Sequence, residues 1–193
     1  MSSPVEAKMK KVKAKRKTKS PKAKKSPAKS TTKSATLKLR LAPELVPAPL
    51  WGISAYRRFG KTKLWREIRQ AALEVSDQKC GACGSDGSQL SCHDAWSYND
   101  KTCVATLIGF EIRCQACHNA THIGRANALG FEQEAYAQLR LVNGCTQQEV
   151  DAIVAAAMEL WEKRSAKSWT VVVAPYLLEM YPQLAEVPLV RRG

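Results

Sequence analysis

Long apolar runs are missing from this chain of 193 residues: none approaches the ~18 consecutive apolar residues that a membrane-spanning helix needs. A secretory leader is missing as well, because the charge block at the N-terminus has no apolar segment behind it. Acids are scarce, 17 against 31 Lys and Arg. The imbalance is local: between Met1 and Ala35 one acid, Glu6, stands among thirteen basic residues, which accounts for +12 of the total +14. Large apolar residues are nearly absent there too, so residues 1–36 cannot bury enough surface to offset chain entropy and are expected to be disordered. No internal repeat is visible. These absences argue against a membrane partner and for an intracellular protein whose thiols stay reduced.

Cysteine and histidine are few but concentrated. Six of the seven cysteines and all three histidines lie between Cys80 and His122. Two Cys-x-x-Cys hooks, Cys80/Cys83 and Cys114/Cys117, have the spacing at which a tight turn aims both sulfurs at one Zn²⁺ about 2.3 Å away. The four sulfurs are expected to close one tetrahedral, structural zinc site. His93, His118 and His122 are not needed by that knot and sit close to it, which marks them as the chemical part of the region. Cys92, Cys103 and Cys145 are expected to be small core residues.

Periodicity organises the rest. Prolines 43, 47 and 49 interrupt residues 37–61 and predict an extended arm anchored by Leu50 and Trp51. From Thr62 a helix is predicted, with Trp65, Ile68, Ala72 and Val75 on its apolar face. Alternation over Leu90–Ser97, a turn at Asn99-Asp100-Lys101 and alternation over Cys103–Phe110 predict a β-hairpin between the hooks. A helix from Cys117 places His118 and His122 four residues apart on one face. Phe131, Ala135, Leu139 and Val142 predict another helix ended by Asn143-Gly144. Thr146-Gln-Gln-Glu149 reads as a capping box opening a further one, with Val150, Ile153, Val154, Ala157, Met158 and Trp161 as its core stripe. Trp169–Val173 reads as a short strand or extended clasp, Tyr176–Tyr181 as a last helical turn. The fold class is therefore small α+β: a zinc-knotted hairpin plus helix, ββα-metal or treble-clef-like, set among several helices. The domain spans 62–182 with its core at 78–124, and 183–193 is expected to be a C-terminal tail.

Hook, hairpin, hook and helix, with His93 on the hairpin and His118 and His122 on the helix, resemble the HNH endonuclease family. The likeness rests on Cys80-x-x-Cys83, Leu90-x-x-His93-Asp94 and Cys114-x-x-Cys117-His118-x-x-x-His122, about forty-five residues. It implies a ββα-metal core in which a divalent ion contacts the scissile phosphate while a hairpin base activates water. By the same resemblance His93, His118 and His122 are metal ligands and Asp94 holds the position of the general base. A second divalent ion, Zn²⁺, Ni²⁺, Mn²⁺ or Mg²⁺, is the expectation there; three imidazoles with open positions suit Zn²⁺ or another borderline ion, with Mg²⁺ less apt. The chain departs from the pattern twice. The base is a carboxylate of ordinary pKa about 3.9 rather than an imidazole. The family's middle Asn is replaced by the run Gly109, Phe110, Glu111, with Asn99 nearby in the turn. A shift of register would make His93 the base and Cys92 or Asp94 a ligand; both assignments stay open.

The tail carries Ser20-Pro21-Lys22-Ala23-Lys24 and Ser26-Pro27-Ala28-Lys29, which resemble the basic repeats of linker-histone tails. A flexible polycation binds phosphate backbones through counterion release, without reading sequence. Lys22, Lys24, Lys25 and Lys29 in the tail, Arg57 and Arg58 after the arm, and Arg113 and Arg125 beside the second hook are the candidate nucleic-acid contacts. The expected partner is DNA, with RNA as the alternative, and the expected activity is metal-dependent phosphodiester hydrolysis. A non-catalytic zinc module that organises DNA or RNA is the competing expectation, and a ribonucleoprotein component a third.

Overall fold

The computed structural model describes residues 39–87 and 89–189. The basic tail, with Lys22, Lys24, Lys25 and Lys29, lies outside the described residues. The arm enters as extended chain, makes a 3-10 turn at Ala48–Leu50 and leads into two helices, α1 (Ala55–Phe59) and α2 (Lys63–Val75). Both have hydroxyl N-caps: Ser54 Oγ accepts the Arg57 N–H, and Thr62 Oγ1 accepts the Trp65 N–H. The hairpin follows as β1 (Leu90–Asn99) and β2 (Val104–Cys114). Its turn is closed by Asn99, whose Oδ1 accepts the N–H groups of Lys101 and Thr102.

Next come α3 (Gln115–Thr121), α4 (Ile123–Ala128), α5 (Glu132–Asn143) and α6 (Gln147–Ser165). Gly144 ends α5 with φ of 65°, a left-handed position that glycine adopts without Cβ strain. Thr146 and Glu149 form the predicted capping box of α6. The chain closes with β3 (Thr170–Val173), α7 (Pro175–Met180) and a 3-10 helix at Pro182–Leu189.

The architecture is mixed α+β around one three-stranded sheet, order β1-β2-β3. β1 and β2 are antiparallel from Leu90 opposite Cys114 to Asn99 opposite Val104, with a bulge between Ala95 and Trp96. β3 runs parallel to the start of β2, Val104 opposite Thr170. Two apolar clusters flank this frame. One joins the hooks to α3–α6 through Cys80, Cys117, Ile123, Leu139 and Val150. The other joins β2 to α1, α2 and the C-terminal segment through Phe59, Trp65, Leu107, Leu177 and Leu184. The hairpin is held from both sides, which fixes its histidine relative to α3.

Three expectations are corrected. Residues 183–189 are not a tail: Leu184 and Val187 are 0% exposed and complete the second cluster. Val75, the last residue of α2, is 90% exposed, and Leu73 is the buried residue of its last turn. Residues 37–61 are not extended throughout, since the 3-10 turn and α1 form once the prolines are passed. No helix among the described residues is long and apolar enough to cross a membrane.

Candidate metal centres

The first hook is a turn built by its own backbone. The Gly84 N–H donates to the Cys80 carbonyl, the Cys80 N–H to Ser85, and the Gly81 N–H reaches across to Ile112 at the end of the hairpin. That last bond brings the first hook against the second, where Cys114 leaves β2 and Cys117 lies in α3. The sulfurs of Cys80, Cys83, Cys114 and Cys117 are 3.6–3.9 Å apart. Four sulfurs at about 2.3 Å from a tetrahedral ion are separated by about 3.8 Å, so the residues fit such a group and lie close enough to hold a metal ion. Burial pushes the Cys80 thiol up, but the N–H groups of Cys83, Cys114 and Ala82 outweigh it and bring it down to about 6, whereas burial prevails at Cys83 and Cys117 and pushes both up. The Gln138 amide of α5 donates to Cys117 Sγ at 3.1 Å. Cys92, Cys103 and Cys145 are free and only partly buried.

The second cluster stands beside the first. One ring nitrogen from each of His93, His118 and His122 lies within 4.8 Å of the others. Ring centroids are 5.5 Å apart for His93 and His118, and 4.8 Å for each pair with His122. The helix predicted to carry both later histidines ends one residue early, at Thr121. His122 still donates its N–H to the His118 carbonyl at 3.0 Å, so the one-turn spacing survives the break into α4. Burial, with help from His93 and Arg125, lowers His118 to about 4 and His122 to about 3. Both rings are therefore uncharged at neutral pH, with lone pairs free to take a cation.

These histidines line a cleft of about 450 Å³ together with Glu44, Arg69, Asp94, Gln115 and Arg125. Asp94 is buried and its Oδ2 accepts the Ala55 N–H at 2.8 Å. Its Oδ1 is buried without a hydrogen-bond partner. Burial pushes this carboxyl up to about 6, against the pull of the Ala55 N–H and of His93.

The basic residues named from sequence do not share one role. Arg125 lines the cleft, and Arg57 is exposed. Arg58 is ion-paired with Glu186 at 2.5 Å, and Arg113 with Glu111. Arg58 therefore ties α1 to the C-terminal segment. Asn99 is engaged in the hairpin turn, six strand residues beyond His93, about 20 Å at the usual strand rise. Glu111 stands opposite His93 in the ladder, Phe110 opposite Asp94.

Two cleft residues had no sequence signal. Arg69 of α2 donates to the Leu90 carbonyl at 3.0 Å. Glu44 comes from the arm, and its Oε2 lies 3.4 Å from His93 Nε2. No protein-family description, curated protein or solved structure matches the chain.

Proposed function

We propose that the protein is a nucleic-acid-binding, HNH-like endonuclease that hydrolyses phosphodiester bonds of DNA with a divalent ion at the histidine centre, its ββα-metal core held by zinc at the four cysteines. The observation that carries this reading is the convergence of His93, His118 and His122 in one cleft beside the four-sulfur cluster. When bound, the divalent ion supplies Lewis-acid stabilisation of the charge that grows on the phosphate and leaving oxygen. His93, His118 and His122 would hold it, two of them already deprotonated by their surroundings. Asp94 takes the role of base. A carboxylate raised to about 6 is a far better proton acceptor than one near 4, and its Oδ1 is the oxygen not engaged by the Ala55 N–H. Arg125, exposed and lining the cleft, orients the phosphate, and the tail adds affinity without sequence choice.

Two observations favour the second reading, a zinc module that binds DNA or RNA without cutting. Asp94 Oδ2 is committed to the Ala55 N–H, and β2 carries Gly109, Phe110 and Glu111 where the resemblance expects an asparagine. Supercoiled plasmid incubated with Mg²⁺, Mn²⁺, Ni²⁺ or Zn²⁺ separates the two. Metal-dependent nicking that His93→Ala and His118→Ala both abolish is the expected result. Retarded migration with intact supercoils would assign the protein to the binding class.

A further inference from the structure

We infer that Glu44, carried on the proline-rich arm, is the positioning residue of the histidine centre: its carboxylate sets the His93 ring toward a divalent cation shared with His118 and His122, and its backbone N–H fixes the chain that carries those two. The inference rests on the reading of these histidines as a cation site.

Two observations on different atoms of Glu44 converge. Its Oε2 lies 3.4 Å from His93 Nε2. Its N–H donates to the Thr121 carbonyl at 2.7 Å, at the turn of chain between His118 and His122. Glu44 is not in the set whose ligand atoms all lie within 4.8 Å of one another, so it stands beside the imidazoles and not among them. A carboxylate or carbonyl in that place is what ligating histidines use to fix their tautomer. It accepts one ring N–H and leaves the other nitrogen's lone pair for the ion. With Nε2–H of His93 turned to Glu44, Nδ1 is the nitrogen offered to the cation.

Charge points the same way. Arg69 and Arg125 line the same cleft, and Glu44 and Asp94 are the carboxylates among its lining residues that can balance a dication there. Glu44 Oε1 is buried with no hydrogen-bond partner. Such an oxygen is costly when left alone, and a nearby cation offsets that cost.

The arm is fastened on both sides of this residue. Asn143 at the end of α5 takes the N–H groups of Arg40 and Leu41 on its Oδ1, at 2.9 and 3.1 Å, and donates its Nδ2 to the Leu41 carbonyl at 2.7 Å. Two residues past Glu44, the Val46 carbonyl accepts two indole N–H groups, Trp51 at 2.8 Å and Trp161 at 3.0 Å. A segment with no strand neighbour is thus held by side chains, with Glu44 at the centre of the held stretch.

The test uses the full chain with its sulfur site loaded and Ni²⁺ alone as the probe, titrated calorimetrically. Glu44→Gln removes the charge and Glu44→Ala removes the acceptor. Each is expected to weaken Ni²⁺ binding 10- to 100-fold with zinc content unchanged. In ¹⁵N spectra of the protein without Ni²⁺, His93 is expected as the Nε2–H tautomer, and Glu44→Ala as a mixture of both. Affinities of both variants within twofold of the parent, or an unaltered His93 tautomer, would overturn the inference. A parent protein that takes up no Ni²⁺ at all would instead remove the histidine centre on which it rests. Should Glu44→Ala fail to fold, Glu44→Gln alone decides.

Discussion

Replacing Asn143 by Ala tests whether the arm belongs to the folded domain. The side chain makes three hydrogen bonds to it, at Arg40 N, Leu41 N and Leu41 O. Arg40 is exposed, so water replaces its bond at little cost. Leu41 is 1% exposed, and its N–H and carbonyl lose partners where water enters poorly. At about 1 kcal/mol net for each bond, and more where a group is left unpaired, the loss is about 2–3 kcal/mol. Alanine's better helix propensity in α5 returns about 0.5 kcal/mol. The net expectation is therefore destabilisation by about 2 kcal/mol in urea unfolding. Amide exchange at Leu41 and Glu44 should quicken more than in the hairpin, because the arm is released first. A change under 0.5 kcal/mol, with those amides still protected, would refute the claim that Asn143 holds the arm.

Two further outcomes are expected. Arg164 grips the hairpin turn, with Nε and Nη2 each 2.8 Å from the Asp100 carboxylate and the guanidinium 4.6 Å from the Tyr98 ring centre. Arg164→Ala should cost about 1 kcal/mol in urea unfolding. The bond from Arg164 holds the Asp100 carboxyl below its ordinary range. A depressed carboxylate stabilises the fold above its unfolded pKa of about 4, and that contribution fades as pH falls lower. The gap between parent and variant should thus stay constant from pH 8 to 5 and close only in stronger acid; a gap that closes by pH 6 would contradict the assignment. Removing residues 1–36 should weaken DNA binding and flatten its dependence on salt by several units in the log–log slope. An unchanged slope would clear the tail of any part in binding.

The elements that frame the centre were legible in sequence because each has a local signature. Cys-x-x-Cys, the alternation of Leu90–Ser97 and the capping box of Thr146 and Glu149 are all written within ten residues. What was illegible depends on distant partners. Glu44 stood in a proline-rich stretch that read only as an arm, and the histidine it meets is His93, 49 residues later. Asn143 read as a helix stop beside Gly144, which it is, but its side chain serves residues 40 and 41, about a hundred positions earlier. Leu184 and Val187 follow Pro182 in too short a run to show periodicity, and their burial is decided by the space left beside Phe59 and Leu177. Asp94 was recognisable as a candidate base only by position in the motif. What raises its carboxyl is enclosure near Ala55 and the α1 turn, which no local pattern announces.

Metal analysis of the purified, reduced protein, combined with thiol counting, tests the arrangement most directly. The account predicts one tightly held zinc per chain, four of the seven cysteines shielded from a thiol reagent until that zinc is removed, and a second divalent ion that exchanges freely and is lost in His118→Ala. Seven equally reactive thiols with no retained zinc would contradict it.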